Sequence, residues 1–226
     1  MEKYFNKLDE IEEKEEFNEY DFEVLKYFSR NANSDVRCRV AEILFSKVNK
    51  EGEEILINLI DDKNELVRTN ACDSLCSSNS QKILQLLKSK VLEDKSYLVR
   101  GYALVSISEI AARINHDIRE FLICALEKEE VKWVKINFYK ALYMVGETTY
   151  LKLLIEELNN EYHGIRCAVV NILSEIISRE NLEVIMKALK KRLKVEEVMS
   201  VKTEIEDFIA LEPVVLEHKR TSMKTL

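Results

Sequence analysis

Apolar and polar residues follow one another along this chain with the period of an amphipathic helix, and the pattern itself recurs. The order apolar–basic–x–x–apolar–apolar–x–x–apolar occurs five times. It runs Val36-Arg37, Val40-Ala41, Leu44; then Val67-Arg68, Ala71-Cys72, Leu75; then Val99-Arg100, Ala103-Leu104, Ile107. The fourth copy is Val134-Lys135, Phe138-Tyr139, Leu142, and the fifth is Ile165-Arg166, Val169-Val170, Leu173. The basic residues stand 31, 32, 35 and 31 positions apart. Positions −1, +3, +4 and +7 from the basic residue share one helical face, so each copy predicts an amphipathic helix.

A second periodic segment precedes each copy: 21–30, 53–61, 81–93, 118–129 and 148–159, with a sixth, 181–193, after the last. The unit is therefore a helix, a turn and a helix. Neither helix buries its stripe alone, so the units must stack. Second helices are expected near 34–48, 64–77, 96–113, 131–145 and 162–178. Six residues before each basic position comes a polar or acidic residue, namely Asn31, Asp62, Asp94, Glu129 and Asn160. Asn, Asp and Ser clusters mark the turns, with Ser34, Asp35, Asn64, Ser96 and Asn160 as candidate caps of the second helices.

This pattern resembles the HEAT-repeat family, in particular its bacterial form with a turn acid followed by Val-Arg, over roughly residues 21–193. The resemblance implies an all-α fold, a right-handed α-solenoid of about five HEAT-like hairpins with capping helices at both ends. It also implies a structural ladder of acid–arginine hydrogen bonds along the stack. Arg37, Arg68, Arg100 and Arg166 would carry it, with Asp62 and Asp94 as acid partners. The chain departs from the family in two ways. The proline common in the turn within a repeat is missing from all five copies, and the ladder position of repeat four is Lys135, which lacks the guanidinium fork. That repeat is also longer, which predicts an irregularity there.

The ends complete the plan. Residues 1–20 predict an acidic capping helix, or an acidic arm for a basic partner. Residues 194–226 predict a closing helix over 195–211, then a frayed tail after Pro213. Lys187, Lys190, Lys191, Arg192 and Lys194 cluster late in a helix, and read either as a solvated face where cations suit the dipole or as a patch for nucleic acid or an acidic partner.

Charge narrows the function classes. The formal net charge is −7. Nine acids and three bases fall within residues 1–21, which leaves the array close to neutral. Such an array has no general pull on a phosphate backbone, so nucleic acid is not expected as a partner. Four glycines and one proline suit a helical chain. Five scattered cysteines read as reduced thiols. With no run of about 18 apolar residues and no basic, apolar signal segment, the expected location is cytoplasmic with no membrane association, and a monomer is favoured.

The remaining residues offer little chemistry. The glycines are isolated, and His116, His163 and His218 lie in three different segments, so no catalytic motif, metal site or cofactor is expected. Cys72 and Cys76 are one helical turn apart, but Cys72 falls on a core phase. Trp133 stands two residues before Lys135, at a phase otherwise held by Asp35, Leu66, Leu98 and Gly164. It reads either as packing or as a binding anchor.

In HEAT-like stacks the second helices line the concave side. Positions +2, +5 and +9 then give a candidate partner-binding face: Arg39, Glu42 and Ser46; Asn70 and Asp73; Tyr102 and Glu109 with Arg113 beyond; Asn137, Lys140 and Met144; Asn171 and Glu175. Five helices about 10 Å apart would make a groove of roughly 50 Å. The resulting expectation is a non-enzymatic, protein-binding scaffold, with adaptors, inhibitors and immunity-type proteins among its relatives. The alternative is a HEAT-like DNA glycosylase or another nucleic-acid-binding enzyme.

Overall fold

The computed structural model describes residues 2–45 and 49–210. Ser46, Pro213, His218 and the tail expected beyond residue 210 lie outside the described residues. The described chain is built of thirteen α-helices and two short 3-10 turns, Leu75–Ser77 and Glu157–Asn159, and contains no strand. It divides into two compact units, Met1–Glu129 and Glu130–Leu226.

The first unit holds α1 (Glu2–Glu12), α2 (Glu19–Phe28), α3 (Ser34–Leu44), α4 (Lys50–Leu59), α5 (Glu65–Ser74), α6 (Gln81–Glu93), α7 (Tyr97–Arg113) and α8 (Arg119–Leu126). Helices α1, α3, α5 and α7 pack each on the next, while α2, α4 and α6 lie against them. The contacts come from the repeat's apolar phases. Val36, Val40, Ala41 and Leu44, then Val67, Ala71, Cys72 and Leu75, then Val99, Ala103, Leu104 and Ile107 are all fully buried. Each large apolar side chain buried this way contributes about 1.5–3 kcal/mol. Leu8 and Ile11 close the stack from α1.

The second unit holds α9 (Lys132–Met144), α10 (Tyr150–Glu156), α11 (His163–Ile176), α12 (Leu182–Leu193) and α13 (Met199–Ala210). Here α9, α11 and α13 pack in order, α10 lies against α9 and α11, and α12 against α13. Their shared core includes Ile136, Leu154, Val169, Leu173, Ile185, Leu189, Val201 and Ile205. Helix α13 therefore stacks on α11 as α11 does on α9. Val201-Lys202, Ile205 and Ile209 follow much of the repeat's apolar–basic order, beyond the five copies read from the sequence.

Local chemistry explains where the helices begin and end. Asn18 and Asp21 form a reciprocal capping box on α2, and Asn33, Asn49, Asn64 and Ser80 cap α3, α4, α5 and α6. Three expected cap sites differ. Ser96 occupies the cap position of α7, but its hydroxyl caps no backbone N–H of that helix. Ser34 and Asp35 lie inside α3, because Asn33 already reaches the Asp35 N–H. Asn160 stands two residues before the cap position of α11 and instead accepts from the Tyr162 N–H. The extra length of repeat four is taken up by a long α7. Asn115, at φ 52°, ends that helix, with His116 N–H donating to Ala111 O and Asn115 N–H to Ala112 O. Gly146, at φ 102°, ends α9 in the same six-to-one, five-to-two pattern.

Candidate functional site

The turn edge of the stack carries a repeated ion pair. Arg37 Nε and Nη2 donate to Asp62 at 2.7 Å each, and Nη1 donates back to Asn31 O at 2.7 Å. Arg68 repeats this with Asp94 at 2.8 and 2.9 Å and with Asp62 O. Arg100 does so with Glu129 and Asp94 O, and Arg166 with Glu196 and Asn160 O. Each arginine thus ties its own turn to the carboxylate of the next one. Burial raises the Asp62 and Asp94 carboxyls, but the arginine and a backbone N–H more than reverse it, so both end below the usual range. Hydrogen bonds from Arg166 take Glu196 down to about 2.

Two parts of this edge differ from the expected ladder. The Lys135 side chain makes no hydrogen bond or ion pair with a described residue, and the next turn offers it the neutral Asn160 instead of an acid. Glu196 was missed, because its segment reads as a simple closing helix. The usable signal was its place six residues before Lys202. Two buried serines, also unanticipated, bridge neighbouring helices. Ser74 Oγ donates to Ala41 O and Ser106 Oγ to Cys72 O, both from position +6 to the +4 carbonyl of the preceding second helix.

The candidate face is partly knitted to itself. In the first unit, Arg39 is held by Asp9 at 3.0 Å and by Glu12, both from α1, and lies 3.7 Å from Glu42. Glu42 in turn accepts from Asn70 at 2.9 Å. Arg113 is spent on backbone: its Nη1 donates to Cys76 O and Ser78 O, the free carbonyls ending the α5 segment. Tyr102 keeps 37% of its surface exposed. Asp73 makes no hydrogen bond or ion pair with a described residue, and burial, then the Glu109 charge, push its carboxyl above the usual range. In the second unit, Lys140 pairs with Glu175, Asn137 turns its amide back to Trp133 O, and Met144 and Asn171 stay exposed. Trp133 itself is partly buried against the core.

Residues 23–108 match the family model described as HEAT repeats. This segment contains three of the rungs' arginines, Arg37, Arg68 and Arg100, and the stacked hairpins that carry them. The CpcE–CpcF complex of phycocyanin lyase from Nostoc sp. PCC7120 contains a similar fold, with TM-score 0.59 and 16% identity over 92% of this chain and 88% of that one. YibA of E. coli is similar too, with TM-score 0.59 and 15% identity over 93% of this chain and 75% of that one. At such identities the likeness establishes the fold, an all-α HEAT-like solenoid, and nothing of activity. No curated protein matches the chain in sequence.

Within the HEAT segment the thiols are subdued. Burial raises Cys38 to about 11 and Cys72 and Cys76 to about 12, far from the thiolate form that nucleophiles and metal ligands need. Among the described residues no group of His, Cys, Asp and Glu is arranged to hold a metal ion. No helix among them is long and apolar enough to cross a membrane.

Proposed function

We propose that this chain is a non-catalytic protein-binding scaffold, an adaptor or inhibitor, that holds its partner on the face of the stacked second helices. The observation that carries this reading is the first unit's row of side chains from three successive helices. Glu42 on α3, Asp73 on α5, and Tyr102 and Glu109 on α7 set carboxylates and one exposed aromatic ring along these helices, on a backbone held in place by the arginine ladder. An aromatic side chain with two rotatable bonds, ringed by polar groups, is what protein interfaces use as an anchor. The carboxylates there outnumber the bases, and Arg39 is already neutralised, which favours a protein surface over a phosphate backbone. One structurally similar protein was itself solved as a complex, that of CpcE and CpcF.

The test is to purify the chain with its natural partner and measure affinity after Tyr102→Ala and, separately, Asp73→Lys. Each should weaken binding by about tenfold or more, as truncated hot spots do. Unchanged affinity in both variants removes this face as the binding site.

A further inference from the structure

Four junctions between successive turns are closed by an arginine fork on a carboxylate: Arg37–Asp62, Arg68–Asp94, Arg100–Glu129 and Arg166–Glu196. At the fifth, between Lys135 of α9 and the turn before α11, the pair is missing on both sides. Asn160 stands where the acid belongs, and its amide is turned to other partners. Its Oδ1 accepts from the Tyr162 N–H at 3.0 Å, and its Nδ2 donates to Glu157 at 2.9 Å. The other oxygen of Glu157 is taken by Lys132 at 2.7 Å. Lys135 is thus left half-buried, its side chain with no hydrogen bond or ion pair to a described residue. A cation partly removed from water without a counter-charge gains strongly when a carboxylate arrives.

We propose that this vacant rung receives an aspartate or glutamate side chain of the partner protein, which forms with Lys135 the ion pair that the other four junctions hold internally. The inference rests on the reading of the chain as a protein-binding scaffold and adds a second contact to it. The flanks of the rung suit such a guest. Tyr162 is 64% exposed, and its ring lies over Gly164, where a Cβ would come within 2.7 Å of the ring. An acidic side chain next to an apolar one would have the Lys135 cation for its charge and the exposed ring of Tyr162, in the following turn, for its apolar neighbour. A nucleic acid fits less well, because its charges recur about every 1.7 Å and would run past the exposed Glu156 and Glu161.

The experiment selects random displayed peptides on the full-length chain and measures the affinities of the enriched sequences. They should share an Asp or Glu beside an apolar residue. Affinity should fall by about tenfold or more with Lys135→Ala. It should fall equally in the triple variant Lys135→Arg, Glu157→Gln, Asn160→Asp, which closes the rung from within and lets the amide introduced at position 157 donate to the new carboxylate. That variant should also melt at a higher temperature, which separates lost binding from lost folding. Enriched peptides without acids, affinities indifferent to both variants, or no enrichment would each overturn the inference. Peptides that depend on Tyr102 but not on Lys135 would overturn it while leaving the second-helix face standing. Lys135-dependent binding of RNA or anionic vesicles, without such peptides, would also overturn it.

Discussion

The arginines of the ladder show why one residue type recurs at one phase of an otherwise variable helix. Arg68 Nε and Nη2 meet both oxygens of Asp94 in parallel, while Nη1 still reaches Asp62 O, a set of three directions that only a planar fork supplies. Both side chains of this pair are only 6% exposed. Breaking it leaves a buried carboxylate uncompensated, so Arg68→Ala should destabilise the chain by about 3–5 kcal/mol in urea unfolding. Arg39→Ala removes an ion-pair cluster that is far more open to water, and should cost no more than about 1 kcal/mol. The recurrence of the arginine was legible in the sequence. Which carboxylate it grips was less so, because the partner sits 25 to 30 residues away in the next turn. Glu196 escaped notice for that reason. A still longer separation, 37 and 35 residues, hid the loss of Arg113 to the Cys76 and Ser78 carbonyls, since nothing in its own helix marks it as a cap for another.

The helices themselves follow from short-range chemistry. Asn64 accepts from the N–H groups of Leu66 and Val67, two of the donors that the first turn of α5 leaves unpaired. Asn64→Ala should therefore cost about 1 kcal/mol, with Asn64→Asp close to neutral, as read from thermal melts. Turn chemistry of this kind is local, and at α3 the capping side chain is Asn33 instead of Ser34 or Asp35. Helices α7 and α9 end at Arg113 and Met144, where Asn115 and Gly146 follow with positive φ. Contacts between elements are less legible than such local signals. Ser74 and Ser106 sit inside apolar stripes, and only the close approach of neighbouring second helices reveals that their hydroxyls reach a carbonyl of the preceding helix.

For the molecule as a whole, the ladder links stability to pH. The folded carboxyl of Glu196 lies at about 2, against an ordinary value of 4.5, and Asp62 and Asp94 of the ladder and Asp21 of the α2 capping box are also lowered. A carboxyl depressed on folding contributes stability above its unfolded value and loses it as pH falls towards its folded value. Melting temperature should therefore hold steady near neutrality and fall steeply between about pH 4.5 and 2. Glu196→Gln should flatten part of that descent while lowering the neutral-pH plateau. By itself the sequence determined the helical class, the hairpin unit and the phase that faces the core. These depend on apolar spacing within one helix and on caps a few residues away, both local in the chain. Tertiary structure decided which acid each arginine meets, that α1 takes up Arg39, that α13 stacks like a further second helix, and that Lys135 is left without a carboxylate. Those outcomes depend on groups about 25 or more residues apart brought together by stacking, and a linear pattern holds no measure of that distance.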